Sequence, residues 1–311
     1  MKAVVYNKRA LQDKLKLEEV AKPVPDDDQL LIKIISVSVN AADYRSMRMG
    51  LIPKSRIFGA DIAGRVETAG KNIRKFKAGD EVIGDLANFG FGGFAEFAVA
   101  PEKALVLKPE ELSYESAAAL PMAGVTALQA LRNKGKIQAG QKVLIVGSGG
   151  GVGTFSLQLA KYFGAEVTAV CSTKNVEQSS SLGADYTIDY SKDDFTRTRN
   201  RYDLIVAVNG NTSLLAYKKL LNPSGRYVMV GGALTQIFKS LIFGRFLSFG
   251  SRKMLSLAAK SSQKDLELIA KLAKDGKIKP VIDRRYPLEK TNEAFQYLME
   301  GHAGGKVVIN V

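Results

Sequence analysis

The pattern of apolar and polar positions changes twice along the chain. Over the first 110 residues the apolar positions come in short β-branched or alternating runs: "KAVVY", "LLIKIISVSV", "DIAGRVETAG", "DEVIGDL" and "FAEFAVAP". Gly, Pro, Asp and Asn separate the runs, and these residues favour turns. Strands of that length and spacing predict a small, barrel-like all-β unit. After Pro109 the Ala- and Leu-rich stretch "SYESAAALPMAGVTALQALRN" predicts helix, with Ser113 as its N-cap. From Lys142 strand and helix patterns alternate. The strands are "KVLIVG", "EVTAVCS", "YTIDY", "YDLIVAVNG" and "GRYVMVGG", and the helices between them begin near Val152, Asn175 and Asn211. Strands joined by helical crossovers predict a parallel sheet covered on both faces. "KMLSLAA" reads as a further strand and 263–275 as an amphipathic helix. The tail returns to strand, helix and strand and is assigned to the first unit. The expected boundaries are 1–122 with 277–311 for the β unit and 123–276 for the parallel-sheet unit.

The first strand–helix junction of the second unit carries the clearest chemistry. Gly147, Gly149, Gly150, Gly151 and Gly153 follow a β-branched strand and open a helix through Val152. Glycines there allow a tight turn and the close approach of a pyrophosphate, and the helix N-terminus offers free N–H groups to the anion. The pattern has the context it needs, with a strand before, a helix after and a second strand following. That second strand ends "Cys171-Ser172-Thr173-Lys174", and no acid follows until Glu177. An NAD site places an Asp or Glu at this point to bind the ribose 2′-hydroxyl. Ser172 and Lys174 would instead hold a 2′-phosphate by charge-assisted hydrogen bonds, so the expected cofactor is NADP(H).

Composition removes several alternatives. The chain has one cysteine, Cys171, and one histidine, His302. No intrachain disulfide or cysteine cage for a metal can form, and a His-based metal site or Ser-His-Asp triad would rest on one residue. His302 is expected on the surface, and Cys171 as an inert packed thiol. No apolar run reaches the roughly 20 residues that span a bilayer. "MKAVVYNKRA" lacks the apolar core of a signal peptide. The expected location is therefore the cytoplasm or a comparable reducing compartment.

The formal net charge is +14, and 204–264 contains basic residues but no acid. Such a surface attracts anions: a phosphate-rich cofactor, nucleic acid or an anionic membrane. A solvated basic face is the plainer account. The basic residues lack the interleaved aromatics or module signature of an RNA binder, so nucleic acid is disfavoured. Residues 236–253 are basic and apolar but show no clean polar face on a helical wheel, so membrane-surface contact has weak support. A basic NADP-binding protein without catalysis remains the alternative to an enzyme.

The order of parts resembles the zinc-independent medium-chain dehydrogenases/reductases, in the quinone oxidoreductase or ζ-crystallin-like branch. The resemblance covers essentially the whole chain. It rests on "SVSVNAADYRSMRMG", "FGADIAGRVETAG", "FKAGDEVIG", "GGFAEFAVAP", "AAALPMAGVTALQAL", "GSGGGVGTFSLQLAK", "SLGADYTIDY" and "GGKVVINV". It implies a GroES-like β-barrel domain, closed by the chain's tail, plus a Rossmann domain with a doubly wound parallel sheet. Where zinc-binding members carry catalytic ligands, this chain has Asn40, Ala60 with Asp61, and Met122, of which only Asp61 is a good zinc ligand.

The resemblance further implies hydride transfer from NADPH to a quinone or an α,β-unsaturated carbonyl compound. Asn40 matches an asparagine near the nicotinamide, and its amide N–H would donate to the acceptor oxygen as charge develops there. Tyr44 is a second donor or proton source. Thr126 matches a contact at the nicotinamide end, and Tyr190 a tyrosine beside the adenosine phosphate. Asn209 and Gly231 end strands on the side where open α/β sheets bind ligands. Lys306 follows two glycines and is placed to reach a phosphate. Phe89, Phe91 and the aromatics of "QIFKSLIFGRFLSF" are candidate walls for a flat acceptor. The strand in "KMLSLAA" corresponds to an edge that pairs between subunits, so a homodimer is expected.

Overall fold

The computed structural model describes residues 1–8, 14–208, 212–232, 248 and 250–311. The chain divides into two units: 1–125 with 261–276 and 280–311, and 126–260 with 277–279.

The first unit is built on strands. β1 (Lys2–Tyr6) and β2 (Leu15–Glu19) form an antiparallel pair. β3 (Gln29–Val39), β4 (Asp61–Ala69), β5 (Glu81–Asp85), β6 (Phe97–Pro101) and β7 (Leu105–Leu107) belong to a larger sheet. β14 (Ile282–Pro287) and β15 (Lys306–Asn310), from the tail, complete it in the order β14-β15-β3-β4-β5-β7, with β6 also paired to β3. The core gathers Val4, Ile32, Ile62 and Val307 from these strands together with Phe58 and Phe94 from the segments between them. Burial of such side chains contributes roughly 1.5–3 kcal/mol each, before entropy is counted.

One helix of this unit escapes the strand pattern. α1 (Ala41–Met49) begins at Asn40 and ends at Gly50, whose φ of 71° is the left-handed helix stop that glycine adopts without a Cβ penalty. The Asp43 carboxylate accepts the Asn40 N–H at 2.8 Å, so "Asn-Ala-Ala-Asp" contains one arm of a capping box. The stretch after Pro109 is two helices. α2 (Tyr114–Ala118) is capped by Ser113, whose hydroxyl accepts the Ser116 N–H at 3.2 Å. α3 (Pro121–Leu128) restarts at a proline, which fits the first turn because it has no N–H to leave unpaired.

The second unit holds a parallel six-stranded sheet. Its strands are β8 (Lys142–Val146), β9 (Glu166–Cys171), β10 (Tyr186–Asp189), β11 (Tyr202–Val208), β12 (Leu221–Val230) and β13 (Lys253–Leu257). The order is β10-β9-β8-β11-β12-β13, and it reverses direction between β8 and β11. Ligands bind at such a switch point in open α/β sheets. Helices α4 (Gly151–Tyr162), α5 (Val176–Ser181) and α6 (Leu214–Leu220) fall between the strands.

The expected boundary needs one correction. α7 (Gln263–Lys274), assigned by its sequence position to the parallel-sheet unit, belongs with the β unit. Ser261 donates to Asp85 at 2.6 Å, and the Gln263 amide donates to the carbonyls of Glu102 and Leu105 at 3.2 and 2.7 Å. These side-chain bonds tie the helix start to strand ends, and no hydropathy pattern reports them. α8 (Thr291–Met299) packs in the tail of the same unit. No helix among the described residues is long and apolar enough to cross a membrane.

Candidate active site

In the second unit the glycines after β8 have different physical reasons to be glycine. Gly147 has φ 80°, and a Cβ there would lie 2.5 Å from the Val208 carbonyl oxygen. A Cβ on Gly153 would overlap the Gly147 carbonyl oxygen, and one on Gly149 would overlap the Asn175 amide. These three positions are glycine because the fold crowds them. Gly150 is not crowded: its φ is −82°, and a Cβ would meet only the Gly147 oxygen, at 3.9 Å. Nothing in the described protein requires glycine there, whereas a ligand approaching the backbone would. Gly151 and Val152 then open α4, whose first N–H groups have no acceptor one turn back. This cradle fits a dinucleotide diphosphate.

The end of β9 is shaped by its neighbours. Tyr190 donates its N–H to the Cys171 carbonyl at 3.0 Å, and the Thr173 hydroxyl donates to Asp189 at 2.6 Å. The Asn175 amide donates to the Ser172 hydroxyl at 3.3 Å. Ser172, Lys174 and Tyr190 are thus gathered at the ends of β9 and β10, with Lys174 and Tyr190 exposed and Ser172 half-buried. Asp189, which the sequence reading passed over, anchors this turn and is nearly buried. Thr126 lies buried on α3. Gly231 follows β12 with φ 66° and Gly232 follows it with φ 111°, so both occupy conformations that favour glycine. Asn209 lies outside the described residues, as do the aromatics expected between 236 and 249. Cys171 is buried at 1% exposure, and His302 is exposed.

The first unit contains a buried polar cluster that strand register assembles. β3 and β15 run antiparallel with Val39 opposite Val307, which brings Asn40 and Lys306 together. Ser38 pairs with Asp61 across β3 and β4. The Lys306 ammonium donates to Asn40 Oδ1 at 2.6 Å and reaches Asp61 Oδ2 at 3.4 Å. Asp61 also accepts from the Asn40 amide at 2.9 Å, the Ser38 hydroxyl at 3.0 Å and the Met122 N–H at 3.0 Å. Asn40, Asp61 and Lys306 are 7%, 0% and 3% exposed. Burial pushes the Asp61 carboxyl up to about 6, with Lys306 pulling the other way. It pushes Asp43 up to about 7, against the N–H bonds it accepts from Asn40 and Gly59.

Two expectations change here. Lys306 does not point at a phosphate: an ammonium this deeply buried needs an anion, and Asp61 provides it. Asn40 is not a free donor, because both its amide hydrogens are committed, one to Asp61 and one to the Ser38 carbonyl at 3.1 Å. Tyr44, one turn along α1, is half-buried against the core of this unit, with the guanidinium groups of Arg45 and Arg48 each 5.9 Å from its ring centre. Phe91 packs on Phe58 at 5.3 Å, and Phe89 lies under the Lys103 ammonium at 5.4 Å. The importance of Asp43 was legible in principle, since it stands at the third helical position after an asparagine.

A family model described as "Alcohol dehydrogenase GroES-like domain" matches residues 26–110, and one described as "Zinc-binding dehydrogenase" matches 182–309. A chloroplast envelope quinone oxidoreductase homolog of Arabidopsis thaliana is 33% identical, over 94% of this chain and 92% of that protein. An NADPH-dependent alkenal/one oxidoreductase, chloroplastic, of the same plant is also 33% identical, over 99% of this chain and 79% of that protein. Among solved structures, the quinone oxidoreductase from Coxiella burnetii superposes with a TM-score of 0.89 at 28% identity, covering 100% of this chain and 99% of that one.

Proposed function

The chain belongs to the medium-chain dehydrogenase/reductase family, and on that premise we propose that it is an NADPH-dependent reductase of quinones or α,β-unsaturated carbonyl compounds that works without zinc. The observation that carries the reading is Gly150: an uncrowded glycine with an ordinary φ, at the mouth of a helix N-terminus, beside a sheet switch point. The names of the relatives support the acceptor class, since one is called a quinone oxidoreductase homolog and another an NADPH-dependent alkenal/one oxidoreductase.

The bound nicotinamide would supply the hydride. The chain's residues bind, orient and stabilise. Gly147 to Gly153 hold the diphosphate with backbone N–H groups and the helix dipole. Ser172 and Lys174, steadied by Asn175 and by Thr173 on Asp189, take the 2′-phosphate. Tyr44 offers a hydroxyl to the acceptor oxygen, where negative charge gathers, and serves as its proton source.

The zinc-free part of the proposal rests on donor chemistry. The chain offers one cysteine and one histidine in total. Asp61, the one carboxylate at the places that resemble zinc-ligand positions, already accepts from Ser38, Asn40, Met122 and Lys306. Zinc has no set of nitrogen and sulfur ligands to bind.

The test is NADPH absorbance followed against a panel of quinones, enones and simple aldehydes. Turnover of quinones or enones, unaffected by a chelator, supports the reading. No turnover of any acceptor, or activity abolished by chelation and restored by zinc, overturns it. We also propose a homodimer joined through β13, an edge strand of its sheet among the described residues, and light scattering that returned the mass of one chain would refute it. The proposed location is the cytoplasm or a comparable reducing compartment, and recovery of the protein from a secreted fraction would refute that.

A further inference from the structure

Helix α5 supports the glycine turn and the end of β9 at once, with side chains three and four apart, the spacing that sets residues on one helix face. Asn175 stands at its start, with Gln178 and Ser179 one turn on. The Gln178 amide donates to the Gly149 carbonyl at 3.4 Å. The Ser179 hydroxyl lies 3.0 Å from that of Ser148, and both serines are fully buried. Ser179 also donates to the Cys171 sulfur at 3.6 Å. The Asn175 side-chain amide donates to the Ser172 hydroxyl at 3.3 Å, and the Asn175 N–H donates to the Ser172 carbonyl at 2.9 Å. The two turns that follow β8 and β9 thus share one support. Gly149 is where they meet. Its missing Cβ points at α5 and not into the cradle: a methyl group there would overlap the Asn175 amide and stand 2.8 Å from the Asn175 Cβ. The Asn175 side chain makes no cap bond, so capping does not explain an asparagine at this place. What the amide does is fill an acceptor lone pair of the Ser172 hydroxyl. A serine hydroxyl has one hydrogen and two lone pairs. The hydrogen of Ser172 must turn away from the donor Asn175, and a phosphate oxygen, which only accepts, suits it.

We infer that Gly149 and Asn175 are a positioning pair that sets the choice between the two nicotinamide cofactors. The glycine admits the asparagine, and the asparagine holds the Ser172 hydroxyl as a donor to the 2′-phosphate. Part of the discrimination between NADPH and NADH therefore lies in the turn that serves the diphosphate, a group both cofactors share. The inference rests on the NADP(H) reading of the site, because it takes Ser172 to meet a 2′-phosphate.

A double-mutant cycle tests this with Asn175→Gly, Gly149→Ala and the double variant. NADPH and NADH affinities are read by fluorescence titration without acceptor, and folding by thermal melts. Asn175→Gly is expected to raise the NADPH Kd by about tenfold and the NADH Kd by no more than about twofold. Its melting temperature should hold, since glycine is nearly as good as asparagine at a helix start. Gly149→Ala pushes Asn175 aside, so it is expected to melt lower and to show the same selective loss of NADPH. In the Asn175→Gly background the added methyl enters vacated space. There Gly149→Ala is expected to weaken neither cofactor further and to melt close to Asn175→Gly. Equal losses for both cofactors in Asn175→Gly, or no loss for either, overturn the inference. So does a Gly149→Ala effect of the same size in both backgrounds. If Gly149→Ala does not fold, Asn175→Leu, which fills the space beside Gly149 but cannot donate, is judged by the same NADPH-to-NADH ratio. Wild-type protein that binds NADPH no better than NADH would instead sink the cofactor reading. Wild-type protein that prefers NADPH, with that preference unchanged in Asn175→Gly, sinks this inference alone.

Discussion

The Lys306 ammonium donates to the Asn40 side-chain oxygen at 2.6 Å across 266 positions of sequence. Two strand registers, β15 on β3 and β3 on β4, assemble the cluster around that bond, and Asp61 sits beside it as the counter-charge. This cluster takes the Asp61 carboxyl and the Lys306 ammonium out of water, and the neighbouring Asp43 carboxyl is buried with them. That arrangement has consequences for stability, and the cradle of the other unit has consequences for binding.

Stability is expected to fall as pH rises from about 5 to about 7.5. Asp43 and Asp61 are pushed up to about 7 and about 6 by burial, above their unfolded range. The native state therefore holds protons in this window that the unfolded chain has released, so raising the pH favours unfolding. Carboxyls held low, such as Glu81 at about 2 beside Tyr114, Lys108 and Arg65, lose their contribution only below this window. The melting temperature is expected to drop by a few degrees between these pH values. Asp43→Asn should melt lower overall, since it loses an acceptor for the Asn40 or the Gly59 N–H, yet show a flatter profile. A wild-type profile that rises with pH would contradict the burial argument.

Gly150→Ala and Gly153→Ala should behave as opposites. At Gly150 a methyl group meets nothing closer than 3.9 Å, so the melting temperature should hold. The same methyl occupies the space offered to the diphosphate, and NADPH affinity should drop by about tenfold or more, ~1.4 kcal/mol. At Gly153 the methyl would overlap the Gly147 carbonyl oxygen, a backbone atom that cannot swing aside. That variant should lose about 1–3 kcal/mol of stability. Titration and thermal melts on the two proteins decide the matter.

Lys174→Ala should separate the two nicotinamide cofactors. If Lys174 meets the 2′-phosphate, its removal should weaken NADPH binding by about ten- to a hundredfold, or roughly 1.5–3 kcal/mol, and leave NADH binding nearly unchanged. Parallel titrations with both cofactors are the measurement. Equal losses would return the exposed Lys174 to the role of a solvated side chain.

Tyr44→Phe should leave the fold and the NADPH affinity intact, because the ring remains packed against the core of its unit. Loss of the hydroxyl should lower kcat by roughly 10²–10⁴, the usual scale for a positioned proton donor. Full activity in this variant would move the proton source to another group or to water.

Much of the fold was legible because its causes are local. Alternating runs marked β3 and β4, and an apolar strand followed by glycines marked β8 and α4. Ser113 announced the cap of α2, and it does accept the Ser116 N–H. α1 was missed because it is short and sits among strands, although Asn40, Asp43 and Gly50 supply its start and stop signals. The assignment of α7 failed for a different reason. Its amphipathic pattern says only that one face is buried, and side-chain bonds to Asp85, Glu102 and Leu105 decide which unit buries it.

The site divides in the same way. The crowding that makes Gly147 and Gly153 glycine and the absence of an acid after β9 were legible in the sequence, because both depend on residues close along the chain or at the ends of neighbouring strands. The roles of Asn40 and Lys306 could not be read so. A lysine near a glycine pair looks like a phosphate ligand, and an asparagine in a family motif looks like a donor, until strand register fixes their neighbours. Hydrogen-bond capacity is finite, and what a polar side chain can offer a ligand is whatever its buried partners have left over. Sequence determined which groups were available, and tertiary structure decided which of them were already spent.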